Sequence, residues 1–302
     1  MGWLKIVLGG MLSILLISSL LLYWFLPSGV IDFSIPTGNS NFSVSSEYEE
    51  MQFYENLRFP NKEISYRIFD CPLQKEDEME FAFEIIANMS SLEFYEVGSN
   101  EEITVTCDSQ TKIKDGLFIA GEGGPTNITQ AGEFNVIFHG NILLIRDSKC
   151  ERPNIAIHEL LHVLGFKHSS NENNIMYYLS DCNQVIGEDT INLIDELYSY
   201  PSYADLVFED VSAQIDGRFL STNISVRNNG LKDSDSAKII ISADDKNIKE
   251  VELESLPIGY GRMAVLSGIW ISQVVVDELE FYIEYAEEEL DKENNKIKLK
   301  IN

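Results

Sequence analysis

Residues 158–168 read His-Glu-Leu-Leu-His-Val-Leu-Gly-Phe-Lys-His, and the interpretation of the whole chain starts from them. The chain has four histidines, and three of them, His158, His162 and His168, lie in these residues. Side chains four residues apart share one face of a helix, so His158 and His162 are predicted to project side by side. Gly165 can adopt a positive φ and end the helix, and the turn that follows would return His168 toward the other two imidazoles.

Three histidine ligands leave one position of a tetrahedral zinc ion free, which is typical of a catalytic rather than a structural site. Glu159 follows His158 directly and is predicted to reach a zinc-bound water molecule without binding the metal itself. As general base, Glu159 would take a proton from this water, which attacks a carbonyl group polarised by the metal. The pattern therefore predicts hydrolysis of peptide bonds at one zinc ion. The alternative is a core helix with two incidental histidines.

These residues resemble the zinc signature of the metzincin metalloproteases, His-Glu-x-x-His-x-x-Gly-x-x-His. Metzincins carry a methionine turn beneath the metal, and the resemblance gives that role to Met176 in the sequence Asn174-Ile175-Met176-Tyr177. Ser169, after the third histidine, is similar to the matrixin branch, whereas Tyr178 stands where the astacin branch has a tyrosine. The resemblance covers residues 62–200. It implies an α+β catalytic domain, with a mixed sheet plus helices.

The N-terminal residues 6–26 are uncharged and mostly apolar, and as a helix they would span about 31 Å, which matches a bilayer core. Lys5 precedes this run, and no other Lys or Arg occurs before Arg58. The positive-inside bias therefore predicts a single-pass transmembrane anchor over residues 1–27, with a cytoplasmic N-terminus and the rest of the chain outside the cell. The alternative is a cleavable signal peptide, which would give a secreted protein.

Residues 28–61 are rich in Ser, Asn and Glu and are predicted to form a tether between the anchor and the next domain. Residues 62–201 are predicted to be the zinc metallopeptidase domain. Matrixins usually keep a latency segment before this domain, and a cysteine of that segment caps the zinc. The first cysteine of this chain is Cys71, so that mode of inhibition is absent or replaced.

The metallopeptidase domain is predicted to begin with a strand, a helix and a strand, over residues 63–70, 74–90 and 102–107. This order indicates a parallel pair of strands joined by a right-handed crossover. Another helix is predicted over residues 187–200, after the methionine turn, and that position is also similar to the matrixin catalytic domain.

The middle of the domain is predicted to contain loops and a hairpin. Residues 116–132 are rich in glycine and lack the spacing of a phosphate-binding loop. Strands over 134–138 and 141–145 are predicted to flank a turn at His139, which is therefore not a predicted ligand. In metzincins an edge strand of the sheet pairs with the extended substrate, and the sequence leaves open which strand does so here.

The four cysteines, Cys71, Cys107, Cys150 and Cys182, all follow the predicted anchor. An oxidising compartment favours disulfides, and four cysteines allow three sets of pairings. Cys71 and Cys107 end two strands that are expected to be neighbours, and Cys150 and Cys182 flank the zinc helix and the methionine turn. Cys71–Cys107 and Cys150–Cys182 are therefore the favoured pairs, and free buried thiols are the alternative.

Residues 205–302 change to short alternating strands with turn signals at Asp216-Gly217 and Asn228-Asn229-Gly230. This pattern predicts an all-β, immunoglobulin-like sandwich. The strands named from the pattern cover residues 219–226, 238–242, 273–276 and 280–285. The Asn-Asn-Gly turn and residues 289–295 resemble the CARDB type of prokaryotic cell-surface adhesion module. The run 277–293 is strongly acidic, which leaves a structural Ca²⁺ ion open as a second cofactor, but no loop has the ligand spacing of a Ca²⁺ site.

The chain has 49 acidic and 22 basic residues, a net charge of −27 that argues against nucleic acid as a partner. We therefore expect a membrane-anchored extracellular zinc metalloendopeptidase whose partners are protein or peptide substrates. One alternative is a cell-surface binding or adhesion protein that works through its C-terminal domain and carries a vestigial metal site. Another is a selective processing protease that cuts a single partner.

Overall fold

The computed structural model describes residues 11, 39–42, 51–110, 112–114, 117–146 and 150–301. Apart from Met11, the predicted membrane anchor lies outside these ranges, as does much of the predicted tether. Within the described ranges, no helix combines the length and the apolar character needed to cross a bilayer.

A six-stranded mixed sheet organises the domain that carries the zinc motif. Its strands are β1 (Leu57–Arg58), β2 (Glu63–Phe69), β3 (Glu93–Glu96), β4 (Ile103–Cys107), β7 (Gly121–Ala131) and β8 (Phe134–Leu144). On one edge of β8 lie β4 and β1, both parallel to it, and on the other edge lies β7, which is antiparallel. Parallel pairing continues from β4 to β2 and from β2 to β3, so the predicted parallel strand pair is confirmed. A separate small hairpin contains β5 (Lys112–Lys114) and β6 (Leu117–Ile119).

Three helices of this domain are described: α1 (Leu73–Met89), α2 (Asn154–Val163) and α3 (Glu188–Leu197). The apolar residues of α1 recur at helical spacing, and Met79, Phe83 and Ile86 are buried in the core that α1 shares with α2 and the sheet. Burying each such side chain contributes about 1.5–3 kcal/mol. The zinc motif therefore lies on a helix that is also a central element of the core.

The glycine-rich residues 116–132, predicted to be loops, instead contain the long strand β7. The prediction was wrong because these glycines serve close packing rather than flexibility. A Cβ atom on Gly123 would lie 2.3 Å from the main-chain oxygen of Glu159, so only a glycine lets the strand approach α2 this closely. Gly121 makes a similar approach to the side chain of Glu159.

The hairpin predicted between residues 134 and 145 is also wrong, because β8 runs through His139 without a turn. The imidazole of His139 forms hydrogen bonds with the hydroxyl groups of Thr104, at 3.0 Å, and Thr126, at 2.9 Å. These hydroxyls come from the strands on the two sides of β8. His139 therefore belongs to the sheet.

The described end of the predicted tether is part of the folded domain. Leu57 is fully buried and lies in β1, which extends the sheet. Arg58 is 1% exposed, and its guanidinium donates to the carbonyl oxygen of Leu197 and lies 4.4 Å from the ring centroid of Tyr198. The prediction of a tether over residues 28–61 was wrong for this part, because β1 has only two residues and the composition of the segment is dominated by polar residues.

Both disulfides join the favoured partners. Cys71–Cys107 links the ends of the neighbouring strands β2 and β4, and Cys150–Cys182 closes the segment that contains α2 and the methionine turn. With a sequence separation of 36 residues, the first bond contributes about 4 kcal/mol in the chain-entropy model. The two bonds therefore fasten the sheet and the metal-site segment independently.

The C-terminal domain is a sandwich of a three-stranded and a four-stranded sheet. The first sheet contains β9 (Leu206–Asp216), β10 (Phe219–Asn228) and β13 (Gly261–Trp270). The second contains β11 (Ala237–Ala243), β12 (Lys246–Leu253), β14 (Glu278–Glu284) and β15 (Lys296–Lys300). Alternate residues of these strands form one apolar core, as the alternating pattern predicted. Residues 273–276, predicted to be a strand, instead form part of the connection from β13 to β14.

The sandwich packs against the end of the β7–β8 hairpin. A small apolar cluster joins Ala131, Phe134 and Val136 of the hairpin to Leu231 and Ile258 of the sandwich. Ile258 lies in a four-residue turn, residues 257–260, which we call the docking turn. The amide of Tyr260 donates to the carbonyl oxygen of Pro257 at 3.0 Å, and Gly259 has a φ of +73°, both as in a type II turn.

We expect Gly259→Ala to destabilise the chain more than Gly217→Ala. Both glycines have a positive φ, so alanine carries a similar backbone strain at each. Only at Gly259 would the new Cβ meet β7, 2.5 Å from Cγ2 of Thr129, whereas at Gly217 there is no atom within 4 Å. Urea unfolding should therefore show an additional loss of about 1–3 kcal/mol for Gly259→Ala. Equal losses would contradict the packing of the docking turn against β7.

Candidate active site

The end of α2 has the geometry that brings the third histidine to the first two. Gly165 has a φ of +100°, and its amide donates to the carbonyl oxygen of His162 at 3.0 Å. The amide of Phe166 donates to the carbonyl oxygen of Leu161, also at 3.0 Å. These two bonds form a Schellman motif, which reverses the chain direction after the helix and returns His168 to its face.

The three histidines form one cluster. The ring centroids of His158 and His162 are 4.7 Å apart, and that of His168 lies 5.2 Å from the first and 4.7 Å from the second. Each histidine offers a ring nitrogen that lies within 4.8 Å of those offered by the other two. Among the residues that the structure describes, this is the one group of His, Cys, Asp or Glu side chains with such spacing.

Main-chain carbonyl groups orient the two histidines of the helix. Nδ1 of His158 lies 2.7 Å from the oxygen of Ile175, and Nδ1 of His162 lies 2.7 Å from the oxygen of Phe166. A carbonyl oxygen only accepts, so each Nδ1 carries the proton and each Nε2 keeps its lone pair for a ligand. Nε2 of His162 is 3.1 Å from Nε2 of His168, close to the separation of about 3.3 Å for two nitrogens on a tetrahedral zinc ion.

Burial favours the neutral form of all three histidines. Burial lowers the pKa of His158 to about 4 and that of His162 to about 3, and it also lowers the pKa of His168. Neutral imidazole is the form that binds metal ions. His158 and His162 are each 8% exposed, whereas His168 is exposed, so the cluster is open to solvent on one side.

The side chain of Glu159, a residue of α2, lies against β7. Its side chain is 6% exposed, and burial, with a further contribution from Glu122, raises its pKa to about 8. The amide of Gly123 donates a hydrogen bond to its carboxylate. A Cβ atom on Gly121 would lie 2.7 Å from Oε1 of this carboxylate. Glycine in β7 therefore gives Glu159 its space and one of its hydrogen bonds. Sequence analysis missed both glycines, although a Gly-x-Gly pair in a strand is a signal of close main-chain approach.

The predicted methionine turn contacts the cluster through its main chain. Met176 is fully buried, its amide donates to the side-chain oxygen of Asn174 at 2.8 Å, and its carbonyl oxygen accepts from the amide of Ser169 at 2.9 Å. Its neighbour Ile175 supplies the carbonyl oxygen that holds His158. Tyr178 is 55% exposed, and the centroid of its ring lies 4.6 Å from that of Tyr177.

We expect Gly123→Ala to lower the stability of the chain by about 1–3 kcal/mol, because the added Cβ would push β7 away from α2. The matched control is Gly124→Ala, one residue along the same strand, where a Cβ would meet no atom within 4 Å. The control should stay within about 0.5 kcal/mol of the parent chain in urea unfolding. A control that loses as much stability as Gly123→Ala would contradict the close approach.

Comparison with known proteins agrees with this geometry. The family model described as Matrixin matches residues 58–199. Macrophage metalloelastase from Rattus norvegicus is 26% identical over 170 residues, which are 49% of this chain and 35% of that protein. The chain therefore spans about a third of the length of this curated relative.

Two solved structures are also similar over parts of the chain. High choriolytic enzyme 1, a hatching enzyme zinc-protease from Oryzias latipes, is 20% identical with a TM-score of 0.23, over 36% of this chain and 46% of that one. The CARDB domain of a Pyrococcus furiosus protein, solved in complex with di-metal ions, is 13% identical with a TM-score of 0.27. The match covers 32% of this chain and 88% of that chain. The CARDB resemblance of residues 205–302 stays a prediction. Residues 58–199 are therefore similar to the Matrixin family and contain the three-histidine cluster.

Proposed function

We propose that the chain is a zinc-dependent metalloendopeptidase and that His158, His162 and His168 hold its single zinc ion. The observation that carries the proposal is the convergence of three imidazole nitrogens within 4.8 Å of one another, from a helix on which Glu159 directly follows His158. The donor set fits zinc, because the carbonyl-bound Nδ1 atoms of two histidines leave their Nε2 atoms as ligands. The family match over residues 58–199 supports the same reading.

When bound, zinc would supply a Lewis acid that polarises a substrate carbonyl group and acidifies a water molecule. In the proposed reaction the charge of a bound Zn²⁺ would lower the pKa of Glu159 again, so that its carboxylate accepts a proton from the attacking water and then delivers it to the nitrogen of the leaving amine. The carboxylate is held for this task by the amide of Gly123 and by the packing of β7. The exposed side of the histidine cluster leaves access for the substrate.

The substrate in this proposal is an extended stretch of polypeptide. Among the described strands, β7 pairs only with β8, so its other edge carries main-chain groups without a strand partner. This edge begins at Gly121, next to Glu159. A peptide added to it as a further strand would gain main-chain hydrogen bonds with little demand on its sequence. We therefore assign β7 as the substrate-pairing strand that the sequence left open.

The proposed location is outside the cytoplasm, on the cell surface, with residues 1–27 as a membrane anchor. Two disulfides support an oxidising compartment. The charge pattern around residues 6–26 supports the orientation with an external catalytic domain. A secreted form released by signal cleavage is the alternative.

We expect Glu159→Gln to retain one zinc ion per chain and to lose cleavage of an unstructured protein such as casein. Glutamine keeps the size of the side chain but accepts no proton, and a general base contributes about 10²–10⁴-fold to a rate. Casein cleavage should therefore decrease by at least about 100-fold, while zinc measured by atomic absorption stays unchanged. Undiminished cleavage by Glu159→Gln would refute the assigned role.

We expect His168→Ala to lose zinc, and His139→Ala to keep it. His168 is a proposed ligand with an exposed side chain, so its removal should leave the fold intact. His139 is the histidine outside the cluster and serves as the matched control. Removing a residue that only hydrogen-bonds a metal ligand lowers metal affinity by roughly 10–100-fold. Because His168 is proposed to bind the metal directly, zinc titrations of His168→Ala should show a larger loss of affinity than this. Equal zinc affinity in the two variants would contradict the three-histidine site.

A further inference from the structure

We infer that the docking turn of the C-terminal sandwich, residues 257–260, forms the end wall of the substrate groove. It thereby limits how many substrate residues can pair with β7 on one side of the scissile bond. The inference rests on the proposed peptidase function, and it assigns to the second domain a part in substrate selection.

The register of the β7–β8 hairpin shows which groups of β7 face the groove. Ala131 and Phe134 are partners on either side of a two-residue turn, so they form a hydrogen-bonded pair. The next pair, Gln130 and Asn135, is then a pair whose main-chain groups point away from each other. The amide of Asn135 indeed donates to the oxygen of Asn56 on the far side of β8, at 3.2 Å. The carbonyl group of Gln130 accordingly lies at the edge of β7 that has no strand partner.

The docking turn occupies this edge. A Cβ atom on Gly259 would lie 2.6 Å from the carbonyl oxygen of Gln130 and 2.5 Å from Cγ2 of Thr129, so the turn is in direct contact with the strand. The turn itself is fixed, because the amide of Gly259 donates to the oxygen of Asn228 and the amide of Asn228 donates to the oxygen of Tyr260, both at 2.9 Å. A strand added to β7 therefore has to stop where the sandwich begins.

The length of the open edge follows from the strand geometry. Gly123 contacts the main chain of Glu159 at one end, and Gln130 contacts the docking turn at the other. Seven residues of strand at about 3.3 Å each separate them by up to about 23 Å, and the register of β7 against β8 shifts once on each side of Asn127 within this stretch. A substrate paired antiparallel to β7 would place the residues on the amino side of its scissile bond along this edge. About six or seven such residues fit before the wall.

Tyr260 gives the wall its chemical character. Its side chain is 61% exposed and directly follows the glycine that touches β7. A phenol ring offers an apolar face and one hydroxyl group, so it suits an apolar or aromatic residue at the far end of the bound peptide. The ligand class that we assign is therefore an extended polypeptide with an apolar residue about six or seven positions from the cleaved bond.

The test uses the full chain and a series of peptides that differ in the number of residues, from two to ten, on the amino side of one cleaved bond. We expect kcat/KM to increase with length up to about seven residues and then to stay constant. Tyr260→Ala should reduce the ratio of kcat/KM between long and short peptides by about 3–10-fold, the range of one aromatic contact. Phe219→Ala, which removes an exposed aromatic ring from another turn of the sandwich, should leave this ratio unchanged.

A second readout does not depend on turnover. The longest peptide carries a photoreactive residue at its amino end and is cross-linked to the full chain with the Glu159→Gln substitution. Mass spectrometry should locate the cross-link at residues 257–260. A cross-link outside residues 257–260 overturns the end wall. The end wall is also overturned if Tyr260→Ala and Phe219→Ala change the length series identically. Neither outcome contradicts the peptidase proposal. Absence of both cleavage and cross-linking in every peptide refutes the peptidase proposal itself, and the end wall with it.

Discussion

The Schellman turn at the end of α2 is the constraint on which the site depends. A helix alone can align only His158 and His162, and the third nitrogen has to come from a chain that reverses at once. Gly165 allows this reversal because it adopts a φ of +100° at no steric cost. The same turn presents the carbonyl oxygen of Phe166 to Nδ1 of His162, so one local structure both delivers His168 and fixes the tautomer of its neighbour.

A second close approach connects this helix to the substrate edge. The main chain of β7 contacts Glu159 at Gly121 and Gly123, and the far end of the same strand contacts the sandwich at Gly259. The strand is therefore held at both ends, by α2 and by the second domain. Because an apolar cluster joins the two domains at this end of β7, movement of the sandwich would displace the strand.

Local patterns predicted the parts of this protein that depend on sequence neighbours. The spacing of the histidines, the glycine after them and the alternation in the sandwich each reflect a single element, and the structure contains those elements. The two disulfide pairs also followed, because the cysteines end neighbouring strands or bracket the zinc helix. The resemblance to metzincins extended the prediction to Met176, which is fully buried and follows Ile175, whose carbonyl oxygen holds His158.

Contacts between distant parts of the chain were not predictable in this way. Glycines such as those of β7 indicate a loop, because nothing local shows that Glu159, more than thirty residues later, needs the space. The composition around residues 57–58 indicates a tether, because their place in the sheet depends on pairing with β8. The sequence around His139 indicates a turn, because the partners of its ring, Thr104 and Thr126, belong to other strands. In each case a tertiary contact overrode the local composition.

The central claim is that three imidazoles from one helix and the turn after it bind a single cation. X-ray absorption spectroscopy on the zinc-loaded chain measures this directly, because the fine structure reports the number and type of ligands. The account predicts three imidazole nitrogens at about 2.0–2.1 Å and one oxygen from solvent. A spectrum with sulfur ligands, or with fewer than three imidazoles, would contradict it.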